Sequence, residues 1–198
     1  MGTTAASVRA RSSPGRPLSP AFYDRDTEAV ARDLLGAVLE HRTPDGVTRG
    51  RITEVEAYLG PHDSACHAAV GLTARNRHLH GPPGTAYVYF IYGLHWCVNA
   101  VTREAGHGSA VLIRAIVPLA GVDLMRRRRG RPDAELANGP AKLCEAMGIT
   151  GALDGATLDR GPLRILAGDR VPDEEVLVTP RIGITRARDW PLRYLVGS

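Results

Sequence analysis

The stretch TAYVYFIYGLHWCVNAVTREAGHGSAVLIRAIV, residues 85–117, decides the fold of this 198-residue chain. It contains three strand-like runs, Thr85–Tyr92, Trp96–Thr102 and Ser109–Val117, which are rich in β-branched and aromatic residues. The links between these runs are short, whereas a crossover between parallel strands needs about a dozen residues or more. The stretch therefore predicts consecutive antiparallel strands.

Upstream of this block, the sequence predicts a short helix and a β-hairpin. Apolar residues recur at helical spacing over Asp26–Leu35, and Gly36 ends the pattern. Two strand-like runs follow, Ala37–Arg42 and Val47–Tyr58, joined by the turn-forming sequence Thr43-Pro44-Asp45-Gly46. We expect the two runs to pair with each other.

Downstream of the block, the pattern changes from helices back to strands. Helices are predicted at Gly121–Arg128 and Pro140–Met147, and strands around Leu163–Leu166, Glu175–Thr179 and Arg193–Val196. The predicted fold class is mixed α/β of the α+β type. It is a mainly antiparallel β-sheet with peripheral helices.

Length and composition predict one compact domain with a short tail. Residues 1–17 are rich in Ser, Thr, Ala, Gly, Pro and Arg and lack apolar periodicity, so we expect a flexible N-terminal tail. Residues 18–198 are about the length of a single domain, which is typically ~100–200 residues.

The composition excludes a disordered chain and a membrane-spanning protein. Hydrophobic residues make up 43% of the chain, yet the longest apolar stretch, Ala86–Tyr92, is far shorter than a bilayer requires. The first residues lack the apolar core of a signal peptide, so we predict a cytoplasmic, intracellular protein. A net charge of +4 fits many enzymes and many nucleic-acid binders alike.

Neither the cysteines nor the histidines form a known metal-binding pattern. The three cysteines, at 66, 97 and 144, are odd in number and widely spaced, which predicts buried free thiols. Four histidines, His62, His67, His78 and His80, lie close together in sequence without the spacing of a known ligand set. We therefore predict no metal site.

The sequence Arg51–Tyr58 offers candidate acid–base groups. In an extended strand, Ile52, Glu54, Glu56 and Tyr58 point to the same side. If that side faces solvent, the glutamates are surface charges, and if it lines a pocket, one of them can act as a general base. Spacing alone does not rank Glu54 and Glu56.

Three of the six tyrosines lie in one predicted strand, at Tyr87, Tyr89 and Tyr92. Alternation places Tyr87 and Tyr89 on one face and Tyr92 on the other, at the strand end. Such a strand can be ordinary aromatic core, because aromatic side chains pack well on a pleated sheet. It can also be a platform on which a planar base stacks, with Tyr92 free to protrude.

Two basic features can bind phosphate. Lys142, the only lysine, follows Asn138-Gly139-Pro140 at a predicted helix N-terminus, where backbone N–H groups attract anions. The alternative is an ordinary capped helix. The run Arg126–Arg129 with Arg131 can equally be a solvated helix end or part of a surface for a polyanion.

Taken together, the motifs resemble those of the alkyladenine (methylpurine, 3-methyladenine) DNA glycosylase family. The resemblance runs in order along the chain and rests on His67 and on residues 53–60, 74–77, 83–93, 97–99, 111–115, 138–143 and 181–184. It implies a monofunctional enzyme, acting as a monomer without metal or cofactor, that cleaves the N-glycosidic bond of alkylated or deaminated purines in double-stranded DNA.

The resemblance also implies roles for individual residues at the reacting bond. Glu56 corresponds to the general base that activates water, and Arg114 to a residue that helps hold that water. The backbone carbonyl of Ile182 corresponds to a further water ligand. A DNA-binding module without catalysis and a histidine-dependent metal hydrolase are the alternatives from other functional classes.

Other residues correspond to the base pocket and the DNA surface of the family. Tyr58, His67 and Tyr89 match the pocket walls, and Asn99 matches a residue that disfavours guanine through its exocyclic amine. Tyr92 matches the residue inserted into the duplex where the flipped nucleotide was. We expect Arg75, Arg77 and Lys142 to contact the DNA as well.

Overall fold

One antiparallel sheet of eight strands organises the computed structural model, which describes residues 15–197. The strands are β1 (Val38–Thr43), β2 (Gly46–Tyr58), β3 (Ala86–Ile91), β4 (His95–Thr102), β5 (Ser109–Ala120), β6 (Leu163–Leu166), β7 (Val176–Thr179) and β8 (Arg193–Val196). Their order is β3-β4-β5-β2-β1-β6, while β8 pairs with both β2 and β7. The predicted antiparallel sheet is confirmed.

Short helices surround this sheet, as the sequence predicts. The α-helices are α1 (Pro20–Tyr23), α2 (Thr27–Leu34), α3 (Val122–Arg129) and α4 (Pro140–Met147), and 3₁₀ turns occur at His67–Val70, Arg77–His80, Asp133–Glu135, Gly151–Leu153 and Asp173–Glu175. Helix α1 is absent from the prediction. Within the described part of the chain, no helix is long and apolar enough to cross a bilayer.

The expected flexible tail falls mostly outside the described residues, which begin at Gly15. The backbone N–H of Gly15 donates to the carbonyl of Ala167, and the N–H of Ala167 donates to the carbonyl of Arg16. Pro17 forms an isolated bridge with Leu166, the last residue of β6. Backbone hydrogen bonds to the domain thus begin three residues before Leu18, where we expect the domain to start.

Apolar side chains from the sheet and the helices form the main core. Helices α2 and α4 bury their apolar faces against the sheet, and the central members of the cluster are Leu34, Leu39, Ile52, Val55, Ile113, Leu143 and Met147. Because burial of such side chains is the main favourable term in folding, this cluster holds β2 and β5 rigidly at the centre of the domain.

An irregularity in β2 corrects the prediction that Ile52 shares a face with Glu54, Glu56 and Tyr58. The register between β2 and β5 shifts between Ile52 and Glu54 and again between Glu54 and Val55. Beyond the shift, Val55 joins Ile52 in the core. A bulge changes which way the side chains of a strand point. The two glutamates and Tyr58 are therefore turned away from the core.

A buried acid, Glu40, lies in the hairpin of β1 and β2. The side chain of Glu40 is buried and accepts hydrogen bonds from Arg42 Nε at 2.8 Å and Arg49 Nε at 2.6 Å. Burial alone would raise the pKa of Glu40, but these hydrogen bonds hold it below its ordinary value. Paired in this way, a buried carboxylate is tolerated in the fold.

Gly36, directly after the C-terminal cap of α2, has a backbone conformation that favours glycine. Its φ is +86°, and a Cβ atom at this position would lie 2.0 Å from the carbonyl oxygen of Asp169. Helix α2 itself begins after Asp26, whose side chain accepts hydrogen bonds from the backbone of Glu28 and Ala29. The predicted helix and its end at Gly36 are confirmed.

We expect the substitution Gly36→Ala to lower the free energy of unfolding by about 2–4 kcal/mol, since it combines backbone strain with steric overlap. Gly106→Ala is the matched control, because Gly106 has φ +92° but no heavy atom within 4 Å of its added Cβ. The control should lose only about 1 kcal/mol. Equal losses in urea denaturation would contradict the steric contribution.

Candidate functional site

A cavity of about 350 Å³ opens beside strands β3, β4 and β5. Seven of the residues predicted for the site line it: Tyr58, His67, Tyr89, Tyr92, Asn99, Arg114 and Ile182. Side chains distant in sequence thus converge on one cavity of the size that accommodates small organic ligands.

Three aromatic rings form one wall of this cavity. The rings of His67 and Tyr89 meet edge to face with centroids 4.6 Å apart, and Tyr87 stacks on Tyr89 at 5.4 Å. The Tyr87 hydroxyl also lies 2.9 Å from Nδ1 of His67. Tyr87 has no assigned role in the sequence analysis, although alternation places it on the same face as Tyr89.

The imidazole ring of His67 is neutral near pH 7. Its pKa lies below the ordinary value of 6.5 because desolvation, and then the positive charge of Arg75, disfavour the protonated ring. Burial raises the pKa of Tyr87 to about 12, so this hydroxyl stays protonated. The wall therefore carries no charge of its own.

Glu56 lies directly behind the cavity wall with its side chain buried, at 0% exposure. Its Oε2 accepts a hydrogen bond from the Tyr58 hydroxyl at 2.9 Å and lies 3.3 Å from Arg114 Nη1. Its Oε1 accepts from the backbone N–H of Ile182 at 2.9 Å. All three groups that touch Glu56 also belong to the cavity lining.

The contacts of Glu54 distinguish it from Glu56. Glu54 Oε1 accepts from Arg114 Nε at 2.8 Å and from Arg193 Nε at 2.6 Å. Burial alone would raise the pKa of Glu54, but the hydrogen bonds from Arg193 and Arg114 hold it below its ordinary value. Glu54 thus orients Arg114, while Glu56 meets the cavity residues. Arg193 is absent from the sequence prediction.

Tyr58 is a hydrogen-bond donor to Glu56. Burial and the negative charge of Glu56 raise the pKa of the Tyr58 hydroxyl well above its ordinary value. The hydroxyl therefore keeps its proton, which it donates to Oε2 of Glu56. Asn99, also in the cavity lining, is held by a hydrogen bond from its Nδ2 to the carbonyl of Tyr87 at 3.0 Å.

Tyr92 stands at the mouth of the cavity on the turn between β3 and β4. Its backbone has a φ of 54°, and Gly93 follows with a φ of 68°. The residue is 81% exposed. A large aromatic side chain in a strained turn and almost fully in solvent is unusual, and strain of this kind is concentrated at functional sites.

The predicted basic residues differ in how the structure relates them to the cavity. Arg75 lines a wider adjoining groove of about 600 Å³ together with Tyr92, and donates from Nη2 to the carbonyl of Phe90. Arg77 is exposed beside His78. Lys142 Nζ donates to Asn138 Oδ1 at 2.8 Å, within the same helix as Pro140 of the cavity lining.

Most of the arginines at the end of α3 form ion pairs or hydrogen bonds within the chain. Arg126 pairs with Asp123 and Asp133, and Arg129 pairs with Glu145 at 2.5 Å. Arg128 donates to the carbonyl of Ala146. These contacts favour the interpretation of this run as a helix end.

Histidines and cysteines are held by ordinary packing and hydrogen bonds. His78 Nδ1 lies 2.7 Å from Asp154 Oδ2, and His80 Nδ1 lies 3.2 Å from the carbonyl of Gly106. Over residues 15–197, no three His, Cys, Asp or Glu side chains are grouped so as to hold a metal ion. The three cysteines are buried and free, as predicted.

Comparison with known proteins gives consistent matches over nearly the whole chain. The family model of methylpurine-DNA glycosylases matches residues 21–198. A curated relative from Methanoculleus marisnigri is 53% identical over 186 residues, covering 91% of this chain and 96% of the relative. A second relative, from Rubrobacter xylanophilus, is 52% identical over 164 residues, covering 83% of this chain and 85% of that relative. Both bear the provisional name 3-methyladenine DNA glycosylase.

The surroundings of His67 predict the pH at which its imidazole ring is half protonated. We expect a midpoint below 6.5 in a pH series of NMR spectra, because desolvation disfavours the charged ring. Arg75→Ala should raise this midpoint without restoring the ordinary value, since desolvation is the larger cause. A midpoint at or above 6.5 in the unaltered protein would contradict this electrostatic account.

Proposed function

Since the chain belongs to the methylpurine-DNA glycosylase family, it is a monofunctional DNA-repair enzyme that hydrolyses N-glycosyl bonds, and we propose that it does so with a Glu56-activated water after flipping the damaged purine into the cavity. The observation that carries this mechanism is the contact of buried Glu56 with Tyr58, Arg114 and Ile182. These three cavity-lining groups hold a carboxylate beside the space for a base.

Flipping is required because the glycosidic carbon is inaccessible while the base is stacked. Extrusion costs a few kcal/mol, and it is easiest for a base whose pairing is already weakened by damage. We propose that Tyr92, exposed at the cavity mouth, enters the gap that the base leaves in the duplex. Its stacking there compensates part of the cost of extrusion.

An alkylated purine such as 3-methyladenine is positively charged, which suits an aromatic cavity. Stacking between Tyr58 and the wall of His67 and Tyr89 would gain a cation–π contribution of about 0.5–2 kcal/mol. Because His67 is neutral near pH 7, it does not repel this cation. Deaminated purines lack the charge, and for them we propose binding by stacking alone.

The chemical step follows from the surroundings of Glu56. Water adds to C1′ of the sugar as the bond from C1′ to the base nitrogen breaks, and the base leaves with the bonding electron pair. Glu56 takes the proton of the water and stabilises the positive charge that develops on the sugar. Arg114 and the carbonyl of Ile182 would hold the water. The products are a free base and an abasic site.

Asn99 would select against normal guanine. Its amide is fixed by the hydrogen bond from Nδ2 to the carbonyl of Tyr87, so the side chain cannot turn away from an incoming base. The exocyclic amine of guanine would meet this fixed group and lose a hydrogen bond to water. We propose that this exclusion confines excision to purines without that amine, or to purines whose N-glycosidic bond is already weak.

The predicted cationic side chains would hold the DNA backbone. Arg75 lines the groove beside the cavity, Arg77 is exposed, and Lys142 lies in the helix that supplies Pro140 to the cavity lining. Phosphate contacts from such residues position a duplex without reading its sequence. All groups in the proposed mechanism belong to one chain, so we propose that the enzyme acts as a monomer on chromosomal DNA within the cell.

Glu56→Gln should retain binding to damaged duplex but lower the single-turnover rate of base release by about 10²–10⁴-fold, the usual contribution of a general base. Release of free base is measured by chromatography, and binding by fluorescence anisotropy. Glu40→Gln is the matched control, since Glu40 is equally buried but lies outside the cavity. Undiminished release from Glu56→Gln would refute the role of Glu56, and release absent from the unaltered protein would favour a DNA-binding module.

Tyr92→Ala should weaken binding to damaged duplex by about 1–3 kcal/mol, the scale of one stacking contact. Leu177→Ala is the control, because Leu177 is also exposed but lies on β7. Both variants are compared with the parent protein in anisotropy titrations. Affinity that is unchanged by Tyr92→Ala would rule out the insertion of Tyr92.

A further inference from the structure

Asp63 and Arg181 form a buried ion pair close to Glu56. Both side chains have 0% exposure. Arg181 Nη1 donates to Asp63 Oδ2 at 2.5 Å and Nη2 donates to Oδ1 at 2.8 Å, so the contact is bidentate. Arginine suits such a pair because its planar fork matches a carboxylate in geometry and charge.

The pair connects two segments that otherwise have no regular pairing. Asp63 also accepts from the backbone N–H groups of Leu59 and Ala65, in the loop that follows β2. Arg181 also donates to the carbonyl of Ala57 within β2. Residues 180–192, between β7 and β8, contain no helix or strand. The side chain of Arg181 holds the start of this segment on β2, and the hydrogen bond from the Ala57 N–H to the Leu192 carbonyl holds its end.

Arg181 acts on both oxygens of Glu56 through its neighbours. Its guanidinium lies over the ring of Tyr58 at 4.6 Å, and the hydroxyl of Tyr58 donates to Oε2. The next residue, Ile182, donates its backbone N–H to Oε1. Ile182 itself is 47% exposed and has little packing of its own to hold that N–H in place.

We infer that Asp63 and Arg181 are positioning residues for the general base: their ion pair holds Tyr58 and the backbone of Ile182 against the carboxylate of Glu56. The inference rests on the proposed role of Glu56. Neither residue touches the substrate, and both act through groups that do.

A purely structural role explains the pair less well. Taking two charges out of water is costly, so a buried ion pair contributes little stability compared with apolar residues of the same volume. The ion pair fixes the relative orientation of its two side chains, which an apolar pair of the same volume cannot do. Misplacing a reacting group by about 1 Å can lower a rate by about 10²-fold, which makes such specificity valuable beside Glu56.

The test uses Arg181→Lys, which keeps the charge but loses the fork, and Asp63→Asn, which is isosteric. In each case we expect the single-turnover rate of base release from a 3-methyladenine-containing duplex to fall about 10–100-fold. Affinity for the same duplex should stay within about threefold, because the groups that stack on the base remain. Thermal unfolding followed by circular dichroism verifies that each variant is folded.

The matched control is Glu40→Gln, which disrupts a buried carboxylate outside the cavity and its contacts with two arginines. It should lower the unfolding temperature but leave the rate of base release unchanged. If Glu40→Gln slows release as much as Arg181→Lys, general destabilisation accounts for the effect and the inference is wrong.

A double-variant cycle separates positioning from structure. If Arg181 acts only through Glu56, Arg181→Lys added to Glu56→Gln should cause no further loss in the residual rate. An additive loss would overturn the inference. An inactive Glu56→Gln protein beside a fully active Arg181→Lys protein would overturn only the inference, whereas a fully active Glu56→Gln protein would overturn the proposed function itself.

Discussion

The register shift where β2 pairs with β5 is the constraint on which the rest of the site depends. Before the shift, Ile52 points into the core, and after it Val55 and Ala57 do so. Strict alternation from Ile52 would turn Glu54 and Glu56 into that core, where an unpaired carboxylate is prohibitively costly. With the shift, one strand supplies both a hydrophobic face and an acidic one. Bulges serve this purpose beside many active sites.

The acidic face is stable because each carboxylate has a defined set of donors. Glu54 orients Arg114, Arg114 contacts Glu56, and the backbone of Ile182 completes the shell around Glu56. Such preorganised dipoles and charges require no reorganisation during the reaction, which is the usual origin of electrostatic catalysis. The same arrangement keeps the carboxylate buried beside the aromatic cavity.

Much of the fold could be predicted from local signals. The short links between β3, β4 and β5 predicted that these strands are antiparallel. Gly36 indicated the end of α2, and Gly148 directly follows the last residue of α4. The prediction was less complete for contacts between distant segments. Nothing in the spacing of the arginine run shows that Arg126 is also paired with Asp133, or Arg129 with Glu145. Arg193 likewise lies on β8, far from Glu54 in sequence.

The sequence by itself determined which residues form the aromatic strand and which strand carries the two glutamates. Through the family resemblance it also proposed Glu56 as the general base. The tertiary structure alone decided which side the two glutamates face relative to Ile52 and which partners they meet. Side-chain direction along a strand has a period of two, so one irregularity reverses every later position. The ion pair of Asp63 and Arg181 exists only because folding brings two irregular segments together, 118 residues apart, and no local pattern records such a meeting.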